Sequence, residues 1–362
     1  MSKRVSAPFR NDIVGSFLRP QRLVEARLSG KNLQSVEDEC IRDLVDKQLA
    51  VGLKSVTDGE FRRSYWHTDF FWGFDGIEHV KMKQGYIFND EETRNDSARC
   101  VSKISYSSHP FLSHFKFLSD VVDGRAQSRL TIPAVAQFLA ELGREENEAY
   151  LKAVYPVEED LHNDLISAYR GFIQDVYDIG CRNLQIDDCT WGLLVDENFS
   201  KVLGDTQAIQ ELYVRLNNSV IEGWPEDLVI NTHVCRGNYH STWAMSGGYD
   251  KVSDVLFSQS KVNAFYLEFD DHRSGGFESL SKVGDDQYVV LGLVTSKNGE
   301  LESKERIIDR IHEASQFVDL DRLCLSPQCG FASTEEGNIL TEEEQWDKLR
   351  LIKEISEEVW SN

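Results

Sequence analysis

Hydrophobic positions in this chain gather into short runs, separated by longer stretches in which apolar residues recur every third or fourth place. The first pattern is that of strands buried on both faces, and the second that of helices with one apolar stripe. Eight runs predict strands: Asp12–Ser16, Ser55–Glu60, Arg129–Pro133, Asn183–Asp187, Leu228–Cys235, Ala264–Phe269, Tyr288–Val294 and Leu323–Pro327. Between them, Ser35 and Asp38 have the spacing of a capping box ahead of Ile41, Leu44, Val45 and Leu49, and Gly52 marks the stop. A second helical stretch carries Leu161, Leu165, Ala168, Phe172, Val176 and Ile179 on one face and ends at Gly180. Further helices are predicted near 206–222, 249–260, 303–317 and 341–360. Strands alternating with helices, without a break in composition, predict an α/β fold: a single (β/α)8 TIM barrel over residues 1–362. The stretch from about 72 to 124 does not fit one helix. Its segment Gln84-Gly-Tyr-Ile-Phe-Asn-Asp90 predicts a hairpin plus helix inserted between strands two and three, as a lid over the barrel mouth.

Charge narrows the partners. With 39 Lys and Arg against 61 Asp and Glu, the formal net charge of -22 repels phosphate backbones and anionic membrane surfaces. Nucleic acid and membranes are therefore not expected. There is no run of about 18 apolar residues, and the opening Met1–Arg10 segment lacks the apolar stretch of a signal peptide, so a cytoplasmic location is expected. Seven cysteines, an odd number without framework spacing, predict reduced thiols. The charge does not fix the oligomeric state, and a homo-oligomer stays open.

Candidate chemistry lies at the ends of the predicted strands, where such barrels build their sites. Strand one ends in Gly15-Ser16, strand two in Asp58-Gly-Glu60 and strand four in Asp187-Asp188. Strand five ends in His233-Val-Cys235, strand six in Glu268, strand seven near Thr295-Ser-Lys297, and strand eight runs into Gln328-Cys329-Gly330. One imidazole, two thiols and one carboxylate form a donor set that a Zn2+ ion accepts. His233, Cys235, Glu268 and Cys329 are the expected metal ligands.

Six segments carry a resemblance: Asp12-Ile-Val-Gly-Ser-Phe17, Asp58-Gly-Glu60, Gln185-Ile-Asp187, Asn231-Thr-His-Val-Cys235, Leu267-Glu268 and Ser326-Pro-Gln-Cys-Gly330. In this order they resemble the C-terminal catalytic barrel of cobalamin-independent methionine synthase, in the manner of its short, single-barrel relatives. The resemblance implies zinc at His233, Cys235, Glu268 and Cys329. It also implies homocysteine contacts at Val14, Gly15, Ser16, Glu60 and Asp187. The activity it implies is transfer of a methyl group from a methyltetrahydrofolate-type or other donor to the homocysteine thiol, giving methionine.

The chemistry is consistent with that implication. A free thiol with a pKa near about 8.5 is mostly protonated at neutral pH, whereas zinc coordination yields a thiolate nucleophile. Glu268 is the ligand expected to give way to the incoming thiol, Glu60 and Asp187 to hold its amino group, and Gly15-Ser16 to offer N–H donors to its carboxylate. Two positions depart from the family pattern. Lys297 stands where those enzymes carry a histidine proton donor, which makes Asp187 and Lys297 the expected catalytic pair, and Leu193 replaces an acidic pterin contact. Both departures point away from a donor with a polyglutamate tail. Two other readings remain: a zinc-dependent alkyltransferase for a different thiol or alkyl donor, and a non-catalytic zinc-binding barrel.

Overall fold

In the computed structural model, residues 4–360 are described. Residues 1–3 and 361–362, the two ends of the domain expected over 1–362, lie outside the described residues. The strands are β1 (Ser55–Val56), β2 (Asp75–Lys81), β3 (Ile87–Phe88), β4 (Glu91–Glu92), β5 (Asp96–Ser105), β6 (Gln127–Ser128), β7 (Leu130–Pro133), β8 (Asn183–Asp187), β9 (Val229–Val234), β10 (Ala264–Glu268), β11 (Tyr288–Val294) and β12 (Leu323–Pro327).

Six of them, β7 to β12, form one parallel sheet in sequence order, as expected where each crossover is a helix. Beyond β7, the preceding β6 pairs in parallel with β1. Beyond β12, the Asp12 N–H donates to the Leu325 carbonyl and the Leu325 N–H to the Arg10 carbonyl, each at 2.9 Å. The Thr57 hydroxyl donates to the Gly15 carbonyl at 2.5 Å, and the Phe17 N–H to Gly59 at 3.2 Å, across the remaining seam. The eight staves make a (β/α)8 barrel.

Strands one and two are shorter than the sequence predicts. In the first, the Asp12 carboxylate accepts the backbone N–H groups of Phe9 at 2.9 Å and Ile13 at 2.8 Å, so donors that would build a ladder go to a side chain. Only the bridge between Asn11 and Leu325 remains. The second ends at Val56 because Gly59 and Glu60 turn with φ of 68° and 60°. A non-glycine residue in that region is uncommon and marks a constrained position.

Helices follow the predicted stripes. Glu158–Asp178 buries Leu161, Leu165, Ala168, Phe172 and Val176. The box expected at Ser35 does not form: the helix Leu33–Ala50 starts earlier, after Asn32 with φ of 52° and no side-chain cap. A capping box instead precedes Glu342–Trp360, where the Thr341 N–H donates to Glu344 at 2.7 Å and the Glu344 N–H to the Thr341 hydroxyl at 3.2 Å. Among the described residues no helix is long and apolar enough to cross a membrane.

Two features place the site. At the barrel centre, Arg129 pairs with Asp12 at 2.9 Å and donates to the Tyr266 hydroxyl at 2.6 Å; the ion pair is fully buried and joins strands one, three and six. Between β1 and β6 the chain leaves the barrel: β2 and β5 form an antiparallel ribbon with the small β3–β4 hairpin inside it. The helix Pro110–Val122 then returns to the barrel wall, burying Phe111, Phe115 and Leu118 in the main core.

Candidate metal centre and active-site pocket

A cavity of about 460 Å³ opens at the C-terminal ends of the barrel strands. At its floor, His233 and Cys235 come from the end of β9, and Cys329 from the loop after β12; all three are buried. One ligand atom from each lies within 4.8 Å of the others. Bonds of about 2.0 Å to nitrogen and 2.3 Å to sulfur set the donors of a tetrahedral ion roughly 3.5–3.8 Å apart, inside that limit.

The surroundings fit a metal further. His233 Nδ1 lies 3.2 Å from the Tyr266 carbonyl, the geometry of an Nδ1–H donor, while the buried Nε2 has no hydrogen-bond partner among the described residues. That arrangement selects the tautomer whose Nε2 lone pair is free for a cation. Gly292 makes room for the Cys329 loop, because a Cβ there would lie 2.7 Å from Gln328 Cα. The Gly330 carbonyl is fixed by Asn238 at 2.7 Å and Ser296 at 2.9 Å.

Glu268 is not drawn into the three-residue cluster. One of its oxygens accepts the Arg236 N–H at 2.7 Å, and the other pairs with Arg273 at 2.9 Å and lies 3.7 Å from Lys297 Nζ. Burial works against its charge, but Lys297, Arg236 and Arg273 hold its pKa below the usual carboxylate value. Lys297 donates to Asp270 at 2.7 Å. Burial opposes its charge too, but Glu268 and Asp270 more than offset this and raise its pKa. The side chain does not line the cavity.

The same cavity is lined by Val14, Ser16, Glu60 and Asp187, the last paired in register with His233 on the neighbouring strand. Gly15 packs so tightly that a Cβ would meet Thr131 Cγ2 at 2.8 Å. Glu60 Oε1 accepts from Thr131 at 2.8 Å and pairs with Arg63 at 3.4 Å, while the buried Oε2 has no partner. Asp187 accepts from Gln185 at 2.8 Å. Burial raises both pKa values, and the charge of Glu60 adds to the effect on Asp187. Two desolvated carboxyls side by side are what an ammonium group would satisfy. The adjacent Asp188 has a structural role, accepting the Thr190 N–H at 3.0 Å and Asn217 at 2.7 Å.

Several groups here were not singled out in the sequence. Cys189 Sγ lies 3.3 Å from Cys235 Sγ. His67, after strand two, lines the cavity with neither ring nitrogen hydrogen-bonded; Nε2 is 3.9 Å from Glu141, which accepts from Tyr86 and Ser97. Burial lowers the His67 pKa to about 4. Gln137 and Glu141 sit four residues apart on the helix Val135–Leu142, and two buried polar residues on a strongly apolar helix are a legible signal. The β3–β4 hairpin supplies Tyr86, Ile87 and Phe88 as one wall. It docks on the loop after Cys235: a Cβ on Gly237, where φ is 88°, would lie 2.6 Å from Phe88, and Asn89 donates to Thr242 at 2.6 Å.

Comparison with known proteins places this geometry in a lineage. Residues 156–356 match the family profile described as cobalamin-independent synthase, catalytic domain. Bacillus subtilis YxjH, a protein of uncharacterised function, is 42% identical over 99% of this chain and 96% of its own length. A Listeria monocytogenes structure, provisionally described as a vitamin-B12 independent methionine synthase, is 37% identical, with a TM-score of 0.78 over 99% of this chain and 100% of that one. A B12-independent methionine synthase from Shewanella sp. W3-18-1, solved with selenomethionine, shares the fold with a TM-score of 0.76 at 18% identity, over 97% of this chain and 98% of that one. Barrel, strand-end chemistry and matches over nearly the full length agree: this chain belongs to the cobalamin-independent methionine synthase catalytic-domain family.

Proposed function

We propose that this protein is a zinc-dependent S-methyltransferase that methylates the thiol of homocysteine to give methionine. The observation that carries the reading is the convergence of His233, Cys235 and Cys329 within 4.8 Å, in the same cavity as the paired carboxyls of Glu60 and Asp187. His233, Cys235 and Cys329 would hold Zn2+, with Glu268 as the exchangeable fourth ligand. Bound there, zinc supplies a substrate thiolate at neutral pH.

The chain's own residues do the rest. Glu60 Oε2 and Asp187 receive the substrate ammonium, which relieves their desolvation and fixes the amino acid relative to the cluster. Backbone around Val14, Gly15 and Ser16 faces the substrate carboxylate. Arg273 and Lys297 would hold the Glu268 carboxylate whenever it is not a metal ligand, which makes Lys297 a counter-charge to Glu268 and Asp270. The hairpin Tyr86–Phe88 excludes water from the transferring methyl group as a lid.

An acceptor specific for an amino-acid thiol is favoured over an alkyltransferase for other thiols by the two raised carboxyls, since a thiol without an ammonium leaves them unmatched. The test is labelled methyl transfer to homocysteine, to 2-mercaptoethanol and to 3-mercaptopropionate. The reading expects homocysteine to be preferred at least tenfold. Equal rates for all three thiols would refute an amino-acid subsite at Glu60 and Asp187.

A further inference from the structure

Which methyl donor the cavity takes follows from its other walls. Its lining contains neither lysine nor arginine. Besides the Glu60 Oε2 that the substrate ammonium takes, polar atoms left without a partner there among the described residues include Gln137 Oε1, an acceptor, and the two nitrogens of His67, one of which presents a lone pair in the neutral ring. Aromatic rings cover much of the remainder. Arg94 and Arg144 already lie against Tyr65 and Tyr86, at 4.9 and 4.3 Å from the ring centroids. Among the described residues no such cation lies over Trp66, Phe88 or Tyr239, and Phe88 and Tyr239 are tilted together at 5.6 Å between centroids. Aromatic faces and acceptors without a competing cation suit a ligand that is positively charged and surrounded by methyl groups.

Proton supply points the same way. A donor that releases its methyl from nitrogen leaves a basic atom that must be protonated. The Lys297 ammonium lies outside the cavity lining, held by Asp270 at 2.7 Å, the His67 ring is uncharged at neutral pH, and Glu60 and Asp187 are taken up by the substrate ammonium. A donor with a neutral leaving group needs no acid at all.

We propose that the methyl donor is a small sulfonium compound, bound between Trp66, Phe88 and Tyr239 with its charge facing Gln137 and His67. This rests on the thiol methyltransferase reading given above. In the step, a lone pair of the substrate thiolate forms the new S–C bond to the methyl carbon. The old C–S bond breaks with its electron pair staying on the donor sulfur, which leaves as a neutral thioether. One positive and one negative charge cancel, no proton moves, and a water-excluded cavity favours a transition state in which charge disappears.

Two measurements decide it. The first is label transfer to homocysteine by the full chain loaded with zinc, from S-methylmethionine, from 5-methyltetrahydrofolate and from its triglutamate. The expected kcat/KM is at least tenfold higher for the sulfonium. A folate that matches or exceeds it overturns the inference and leaves the methyltransferase reading standing, and sulfonium binding without transfer overturns it as well. The second is calorimetric binding of trimethylsulfonium to the metal-free protein, which does not depend on homocysteine. Trp66→Leu and Phe88→Leu, both at partly exposed positions, should each weaken that binding roughly threefold to thirtyfold, and Trp66→Leu should leave zinc-dependent homocysteine binding unchanged. No binding by the native protein, or equal binding by both variants, overturns the inference. Failure of homocysteine to enter the zinc shell would instead overturn the parent reading, with the calorimetry still deciding the donor class.

Discussion

Asp187 shows how a binding residue is held in an unfavourable state. Buried against Glu60, its carboxyl has a pKa well above the ordinary value, so its ionised form opposes folding. For a group whose folded pKa is raised, the favourable contribution is complete below the unfolded pKa of about 4 and is lost as pH rises through the folded value. Asp187→Asn is therefore expected to raise the Tm of the ligand-free protein at pH 8, with the gain shrinking toward pH 4, and to weaken homocysteine binding. A Tm that falls at pH 8 would show that the ionised carboxylate is stabilised in a way its neighbours do not explain. At this scale the sequence was informative where a residue type is rare at a strand end, as with His233, Cys235 and Cys329. It names Glu268 as a ligand as well, but only the fold reveals Arg273 at 2.9 Å and the Arg236 N–H at 2.7 Å as competitors for the carboxylate. Nor does the sequence show that Lys297 is tied to Asp270.

The strands β8, β11 and β12 appear over the expected residues because they are buried on both faces and no side chain diverts their ladders. Strand one failed as a regular ladder because of Asp12, whose polar side chain inside an apolar run was the warning. The hairpin was foreseen from its turn residues, but not its seat on the Cys235 loop, which depends on a contact across more than a hundred residues. Gly237 carries that arrangement, and Gly292 carries the seat of the Cys329 loop. Gly237→Ala places a Cβ within 2.6 Å of Phe88 at a φ of 88°, and should lift the hairpin. We expect faster proteolysis between residues 83 and 92, with zinc content unchanged. Gly292→Ala drives a Cβ against the Gln328 backbone at 2.7 Å. Overpacking of this kind costs about 1–3 kcal/mol, and here it should appear as weakened zinc affinity in a metal competition assay, since Cys329 is the next residue. Native affinity would mean that the loop adapts without moving the thiol.

At the scale of the molecule, Arg129, Asp12 and Tyr266 tie strands one, three and six together across the barrel, a buried polar knot in an apolar cylinder. Removing one partner leaves a charge without compensation, and Arg129→Leu is expected to destabilise the protein by about 3–5 kcal/mol in urea unfolding. A loss below about 1 kcal/mol would place closure elsewhere. The alternation of strand and helix made the fold class legible, and the register in which six ligand-bearing segments end on one rim made the site legible with it. The central claim is that His233, Cys235 and Cys329 hold a zinc ion that activates the substrate thiol. Elemental analysis of the purified chain alongside Cys329→Ser and Cys189→Ser tests it most directly. The account predicts about one zinc per chain in the native protein and in Cys189→Ser, and loss of the metal in Cys329→Ser. A native protein without zinc, or a Cys329→Ser protein that keeps a full equivalent, would contradict it.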